Sequence, residues 1–119
     1  MKILDVLIRV FIDPEELDTT IAFYEKIFCS KCKMRFQYPA VGLELAQIKS
    51  VLLIAGTKSA REPFQMTQAT FVVDCVIDFK DTLIANNAII LEQPKNVPTG
   101  KNMRVQHPDG IIVEYVEHK

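Results

Sequence analysis

One pattern of secondary structure occurs twice along the 119-residue chain, and it constrains the fold more than any other feature of the sequence. Each copy predicts a strand, then a helix, then three strands. A four-stranded sheet with one helix leaves an exposed edge, which a second copy can pair or cover. The sequence therefore predicts an α+β domain made of two tandem βαβββ modules. The elements are predicted at residues 4–12, 14–28, 33–38, 43–48 and 51–55, and again at 68–73, 76–86, 88–92, 103–106 and 111–117.

The first strand and helix have the clearest periodicity. Apolar residues occupy every second position from Leu4 to Ile12, which is typical of a strand with one buried face. Asp13 is a suitable N-cap, with proline after it and Glu16 three residues later, so the spacing predicts a helix start. The apolar positions of this helix follow helical spacing and predict one face that packs on the sheet: Leu17, Ile21, Tyr24 and Phe28.

The module boundaries follow from the breaks between these elements. We place module one at residues 1–57, a polar linker at 58–64 and module two at 65–119, all within one domain. Residues 94–101, which include Pro98 and Gly100, have the composition of a long loop that can cover a cavity.

Charge and cysteine content exclude several classes of protein. The 14 basic residues are scattered and balance 15 acidic ones, which argues against nucleic acid or an anionic membrane as a partner. The longest apolar run, residues 51–55, is too short to span a bilayer, and an acidic residue at position 5 does not suit a secretion signal. Three cysteines fit reduced thiols, so we expect a cytoplasmic protein.

Three stretches resemble the vicinal-oxygen-chelate superfamily, which includes glyoxalases and bleomycin-resistance proteins. The run from Arg9 through Asp13 to Phe23 and Tyr24 is similar to the first strand and helix of that family. Residues 70–74 resemble the opening strand of its second module, and residues 107–115 resemble its near-terminal turn and glutamate-bearing strand. The resemblance covers nearly the whole chain and implies a curved, partly open β-barrel. It does not fix the function, because one fold hosts many activities.

The resemblance also implies four positions for the ligands of a divalent metal. In this chain they fall on Asp5, within residues 52–54, on Gln68 and on Glu114. Residues 52–54 are apolar and neither Asp5 nor Gln68 is a histidine, so only Glu114 matches clearly and we expect no metal cofactor. A divalent ion held by Asp5, Gln68 and Glu114 would be bound by oxygen alone, which suits magnesium or manganese.

Glu114 is the candidate catalytic residue. Its neighbours along the strand are apolar, and a carboxylate in such surroundings is costly unless it is paired or protonated. One interpretation is an internal ion pair, in which Arg9 neutralises Asp5 or Glu114. The other is a general base, with Arg9 binding an anionic group of the substrate. Further candidate binding residues are Asp5, Gln68, Thr70 and Arg104, with Tyr38 and Glu44 as possible wall residues.

Two functions follow, and they belong to different classes. The first is an isomerase or lyase, or a dioxygenase-like enzyme, in which Glu114 moves protons on a small polar metabolite. The second is a non-catalytic protein of the bleomycin-resistance type that binds a drug or metabolite. By analogy with the family we expect a homodimer, and the chain also allows a closed cavity and a function at the surface.

One further motif is a C-x-x-C at Cys29 and Cys32. No second pair or suitably spaced histidine accompanies it, and it follows a helix rather than opening one. We therefore expect the spacing to be incidental rather than part of a zinc or redox site.

Overall fold

The computed structural model describes all residues from 1 to 119. It contains eight strands and three α-helices. In chain order these are β1 (Ile3–Ile12), α1 (Leu17–Phe28), β2 (Met34–Tyr38), β3 (Leu43–Ile48), β4 (Val51–Ala55), α2 (Lys58–Arg61), β5 (Ala69–Val73), α3 (Val76–Ala85), β6 (Ile89–Val97), β7 (Gly100–Gln106) and β8 (Ile112–His118).

The chain divides into two compact units. The N-terminal unit contains Ile8–Met66, and the C-terminal unit contains Met1–Leu7 together with Thr67–Lys119. Strand β1 is therefore shared, since its first residues belong to the C-terminal unit and its last five to the N-terminal unit. The two predicted modules, split near residues 58–64, differ from these units because the start of β1 clusters with the second half of the chain.

In the N-terminal unit, β4 lies between β1 and β3, with β2 at the edge. Strand β1 pairs with β4 in parallel, and β4, β3 and β2 are antiparallel neighbours. Helix α1 covers one face of this sheet. Its core consists of Leu17, Ile21, Ala46, Ile48, Val51, Leu53 and Ala55.

The C-terminal unit repeats this topology. Strand β5 pairs with β8 in parallel, and β8, β7 and β6 are antiparallel neighbours. Helix α3 covers one face, over a core of Val73, Val76, Phe79, Met103, Val105, Val113 and Tyr115. At the start of the chain, the Lys2 amide donates to Oδ1 of Asp74 at 2.9 Å, which ties the beginning of β1 to the end of β5.

The predicted fold class is confirmed, because strand, helix and three strands occur in that order in both halves. In each half the first strand lies beside the last in parallel. A parallel pair needs a long connection between its strands, and each module supplies it with a helix and two strands. The twelve-residue α1 is the longest helix, and none of the helices has the length and apolar character that a membrane span requires.

Two connecting segments contain regular structure that the sequence did not predict, and the loop predicted at 94–101 was wrong. The polar linker at 58–64 contains α2 and a further short helical turn at Glu62–Phe64, begun by the Thr57 hydroxyl, which accepts from the Ala60 amide at 3.2 Å. The predicted loop at 94–101 is a β-hairpin, in which β6 continues to Val97 and β7 begins at Gly100. Pro94 is tolerated in β6 because it lies at a register shift between Glu92 and Lys95, where no ladder hydrogen bond is needed from its nitrogen.

Candidate functional site

A row of polar side chains crosses one face of the sheet in the C-terminal unit. Thr70 of β5 is directly opposite Glu114 of β8, which in turn is directly opposite Arg104 of β7. Arg104 is opposite Glu92 of β6. Residues directly opposite each other in neighbouring strands point to the same face. The register of four strands therefore brings these side chains together on the face away from α3.

The Glu114 carboxylate accepts a hydrogen bond on each oxygen. The Thr70 hydroxyl donates to Oε1 at 3.0 Å, and the Asn102 amide donates to Oε2 at 2.8 Å. Thr70 is 2% exposed, so its hydroxyl has little access to water. Because both donors are neutral, hydrogen bonds rather than an ion pair stabilise and orient the carboxylate.

Apolar side chains border this carboxylate. Val72 and Val116 are opposite each other, one alternate position further along the same face, and both are buried. A carboxylate beside such groups loses part of its hydration, which the bonds from Thr70 and Asn102 offset. The arrangement gives a hydrogen-bond acceptor of fixed orientation beside apolar side chains.

Arg104 is held by a second carboxylate. Its Nε lies 2.7 Å from Oε1 of Glu92, and the Lys95 ammonium lies 2.9 Å from Oε2 of the same residue. The hydrogen bond from Lys95, followed by the charges of Lys95 and Arg104, holds the pKa of Glu92 below its ordinary value. Glu92 is therefore charged at neutral pH. It accepts a hydrogen bond from Nε of Arg104. The terminal nitrogens of the guanidinium are available to an anionic group of a ligand.

Gln68 lies on the same strand face as Thr70, two residues earlier. Its backbone amide donates to the Ile112 carbonyl at 2.9 Å, and its side-chain oxygen accepts from the backbone amide of Ile112 at 3.3 Å. These two bonds attach the start of β5 to the start of β8. Gln68 therefore helps to fix the register that places Thr70 opposite Glu114.

Asp5 and Arg9 are both on β1, but in different units. Oδ1 of Asp5 accepts from the backbone amide of Val6 at 2.9 Å, within the C-terminal unit. Arg9 belongs to the N-terminal unit, where its guanidinium carbon lies 5.6 Å from the centre of the Phe11 ring. Among the predicted site residues, the strand register thus brings together Thr70, Arg104 and Glu114, with Gln68 beside them.

No protein-family model matches the chain, and no curated protein matches it. Among solved structures, an uncharacterized protein from Methanosarcina mazei is 48% identical, with a TM-score of 0.91 over 100% of this chain and 95% of that one. The chain belongs to the family of this Methanosarcina protein.

More distant structures share the fold of this family. Methylmalonyl-CoA epimerase from Mycobacterium tuberculosis is 14% identical, with a TM-score of 0.68 over 98% of this chain and 89% of that one. The Streptomyces coelicolor methylmalonyl-CoA epimerase carrying Q60A, in complex with 2-nitronate-propionyl-CoA, is 16% identical, with a TM-score of 0.61 over 97% of this chain and 98% of that one. These similarities show that the chain shares the fold of the methylmalonyl-CoA epimerases.

The residues of this chain do not fit the divalent metal that the superfamily implies. No group of three or more histidine, cysteine, aspartate or glutamate side chains comes together anywhere in the structure. The side-chain oxygen of Gln68 belongs to a neutral amide and already accepts a hydrogen bond from the Ile112 amide. The positions at residues 52–54 are apolar and buried. An ion at this place would lack most of its ligands.

Glu92, at the end of the polar row, and Asn102, which bonds Glu114, were not predicted as site residues. Asn102 lies at a position that was assigned neither to the loop at 94–101 nor to the strand at 103–106. Once the hairpin is recognised, Asn102 falls two residues before Arg104 and hence on the same face as Glu114. The signal was available in the sequence as an alternation of polar and apolar residues from Asn102 to Gln106.

Proposed function

We propose that this protein is an enzyme that binds a small polar metabolite on the sheet face of the C-terminal unit and transfers a proton through Glu114. The substrate is a carbon acid or hydroxyl compound with an anionic group. Glu114 accepts the proton and returns it to the same or a neighbouring atom, so the reaction is an isomerisation or, if a group leaves, a lyase reaction.

The observation that carries this proposal is the hydrogen bonding of Glu114. Thr70 and Asn102 each use one oxygen, so each oxygen keeps a further lone pair for an acidic hydrogen of a ligand. Fixed orientation of the base lowers the entropy cost of proton transfer. Arg104 is directly opposite Glu114 on the neighbouring strand, and its guanidinium, held by Glu92, supplies the positive charge for the anionic group.

The fold neighbours support the reaction class only. Two of them are named as epimerases, and epimerisation at a carbon is a proton transfer of this kind. We extend only this reaction class, proton transfer at a carbon, to this chain. We do not extend the acyl-CoA substrate or a metal to it. Proton transfer is proposed here without a metal because the ligand set does not form.

A second candidate is a binding protein without catalysis. The mismatch at three of the four implied metal positions favours it, because the chemistry shared by the superfamily needs that ion. In this case the Glu114 carboxylate accepts a hydrogen bond from an N–H or O–H of the ligand and no proton is transferred.

The binding site is tested by NMR titration of the ¹⁵N-labelled protein with small 2-oxo and 2-hydroxy carboxylates. We expect saturable shifts of the Asn102 side-chain amide and of the Arg104 Nε–H. Arg104→Met should weaken binding by about tenfold or more, because it removes the charged hydrogen bonds to the anion. Glu114→Gln should mostly retain binding, and the same change at Glu62, an exposed residue remote in sequence, is the control. Saturable shifts confined to other residues would contradict the proposed site.

A further inference from the structure

Two cysteines that the proposed function does not use lie on either side of the turn that ends α1. Cys29 has the left-handed conformation, with φ 50° and ψ 45°. The next amide, that of Ser30, donates back to the Glu25 carbonyl at 3.1 Å, which is a common way to end a helix. Helix α1 ends at this point.

Glu25 and its neighbour Lys26 hold both ends of the turn. The Cys29 amide donates to the Lys26 carbonyl at 3.3 Å, and the Cys32 amide donates to Oε2 of Glu25 at 2.7 Å. Both cysteines are thus attached to the last turn of one helix. A disulfide needs Cα atoms about 4.4–6.8 Å apart, and these two bonds hold Cys29 and Cys32 to adjacent residues of one helical turn.

The two thiols differ in accessibility. Cys29 is exposed, whereas Cys32 is half-buried and packs against the core beneath α1. The Cys29 thiol lies 3.7 Å from the Lys26 carbonyl, and the Cys32 thiol lies 3.3 Å from the Met34 carbonyl. An outside reagent therefore meets Cys29 first, and Cys32 is the thiol that can react second.

An open groove of about 460 Å³ leads to Cys29. Its charged residues are Glu25, Lys26 and Lys31, and the Glu25 carboxylate is already bonded to the Cys32 amide. Two lysines against one carboxylate leave the groove with a net charge of +1 beside the exposed thiol. Opposite charges attract over about 10 Å at ordinary ionic strength, so the groove favours a negatively charged reagent.

Although the spacing alone gave no reason to expect a redox site, we propose that Cys29 and Cys32 form a thiol–disulfide exchange pair that reacts with a small anionic disulfide. The Cys29 thiolate attacks one sulfur of the reagent, forming a mixed disulfide and releasing one thiolate. Cys32 then loses its proton and attacks Sγ of Cys29, which forms the Cys29–Cys32 disulfide and releases the second thiolate. The reagent gains two electrons, and the two protein thiols are oxidised.

The test uses the full chain with Cys75→Ser, which removes the third thiol. Cys75 precedes α3 as its N-cap, a position that serine suits well. The protein is treated with 5,5′-dithiobis(2-nitrobenzoate), an anionic disulfide, and its mass is measured. We expect a product that has lost two hydrogens and carries no nitrobenzoate adduct. Stable adducts on both cysteines would overturn the proposal.

Two sets of variants separate the steps. In the Cys75→Ser protein, the further substitution Cys32→Ser should trap the mixed disulfide on Cys29. If this mixed disulfide does not form, the assignment of Cys29 as the first thiol is overturned. Changing Lys26 and Lys31 together to glutamine should slow the anionic reagent at least threefold at low salt relative to the cationic disulfide cystamine. An unchanged ratio of the two rates would overturn the role of the groove.

The matched control for the charge change is Lys58→Gln with Lys119→Gln, two exposed lysines that do not line the groove. It should leave the ratio of rates unchanged. Glu114→Gln should react as the parent protein does, so this proposal and the proposed function fail independently.

Discussion

At the residue scale, Glu114 shows how the chain keeps a carboxylate beside apolar neighbours. Thr70 and Asn102 supply one hydrogen bond each, from two different strands. Such bonds to a charged group contribute about 1.5–3 kcal/mol each, and loss of one leaves a partly buried oxygen without a donor. The stability of the sheet and the geometry of the site therefore depend on the same two side chains.

We predict that Asn102→Leu lowers the free energy of unfolding at neutral pH by about 1.5–3 kcal/mol, because Oε2 of Glu114 loses its charged hydrogen bond. Urea denaturation followed by circular dichroism measures this change. Asn96→Leu, at an exposed position of β6, is the matched control and should change stability by less than about 0.5 kcal/mol. Equal losses in both variants would show that the bond to Glu114 is not the cause.

Tyr115 gives a prediction of pH dependence. Burial raises the pKa of its phenol to about 12 from an ordinary value of 10.0. The folded protein thus keeps a proton that the unfolded chain releases, so stability is retained below about pH 10 and falls between pH 10 and 12. Tyr115→Phe should make this fall shallower, as measured by urea denaturation at each pH. Identical slopes for the two proteins would contradict the burial of the phenol.

The same substitution removes a hydrogen bond. The Tyr115 hydroxyl lies 2.8 Å from Nε2 of His107 and links the turn at residues 107–110 to the core beneath α3. At pH 7 we therefore expect Tyr115→Phe to cost about 1 kcal/mol in unfolding free energy.

At the element scale, strong alternation was a reliable guide and mixed composition was not. The predicted ends of strand β1 and helix α1 lie close to the observed ends, because the apolar residues of each element repeat at its own structural period. The hairpin of β6 and β7 was not predicted, because Pro94, Pro98 and Gly100 are typical of loops. Strand β7 pairs with β8 and β6 pairs with β7, and local composition does not report these contacts between strands.

Gly100 is the residue that the hairpin most depends on. It has φ 149°, and a Cβ added there would overlap the carbonyl oxygen of Glu117 in β8. Gly110 also has a positive φ, of 94°, but a Cβ there would meet no atom within 4 Å. A side chain at Gly110 would meet backbone strain alone, whereas a side chain at Gly100 would meet both strain and a clash with a neighbouring strand.

We predict that Gly100→Ala destabilises the protein by about 3 kcal/mol or more, because both effects apply and the obstructing atom is backbone. Gly110→Ala should cost only about 1–2 kcal/mol, the price of the left-handed conformation alone. Thermal and urea denaturation of the two variants provide the comparison. Equal losses would show that β7 and β8 do not approach as closely at Gly100 as the structure has them.

At the scale of the whole molecule, the first half of β1 leaves apolar side chains exposed. Its residues Val10 and Ile12 pack against the core beneath α1. Three earlier residues at the same alternation, Leu4, Val6 and Ile8, are 61%, 47% and 56% exposed. An apolar stripe of this kind is unusual in a monomer, and a second copy of the chain could bury it.

We therefore expect a homodimer, and Val6→Glu should shift it to the monomer because a charge would be buried in the contact. Sedimentation equilibrium over a range of concentrations measures the association. Ile84→Glu, which changes an exposed apolar residue of α3 in the same way, should leave it unchanged. A wild-type protein that stays monomeric at all concentrations would refute the dimer.

The candidate site could be predicted only in part from the sequence. Glu114 was selected by its resemblance to a family strand, and Thr70 and Arg104 by their places on predicted strands. Their pairing needed the register, since a slip of one residue turns a side chain to the opposite face. The partners Asn102 and Glu92 follow from a hairpin whose strands were not fully predicted.

The most direct test of the proposed function is proton exchange in deuterated water. Small 2-oxo and 2-hydroxy carboxylates that bind by NMR titration are incubated with the protein, and loss of their C–H signal is followed by ¹H NMR. We predict that the wild-type protein accelerates exchange of at least one bound compound. Glu114→Gln should slow it by about 100-fold or more while binding is retained. Binding without exchange, or equal exchange by the Glu114→Gln variant, would contradict a catalytic role for Glu114.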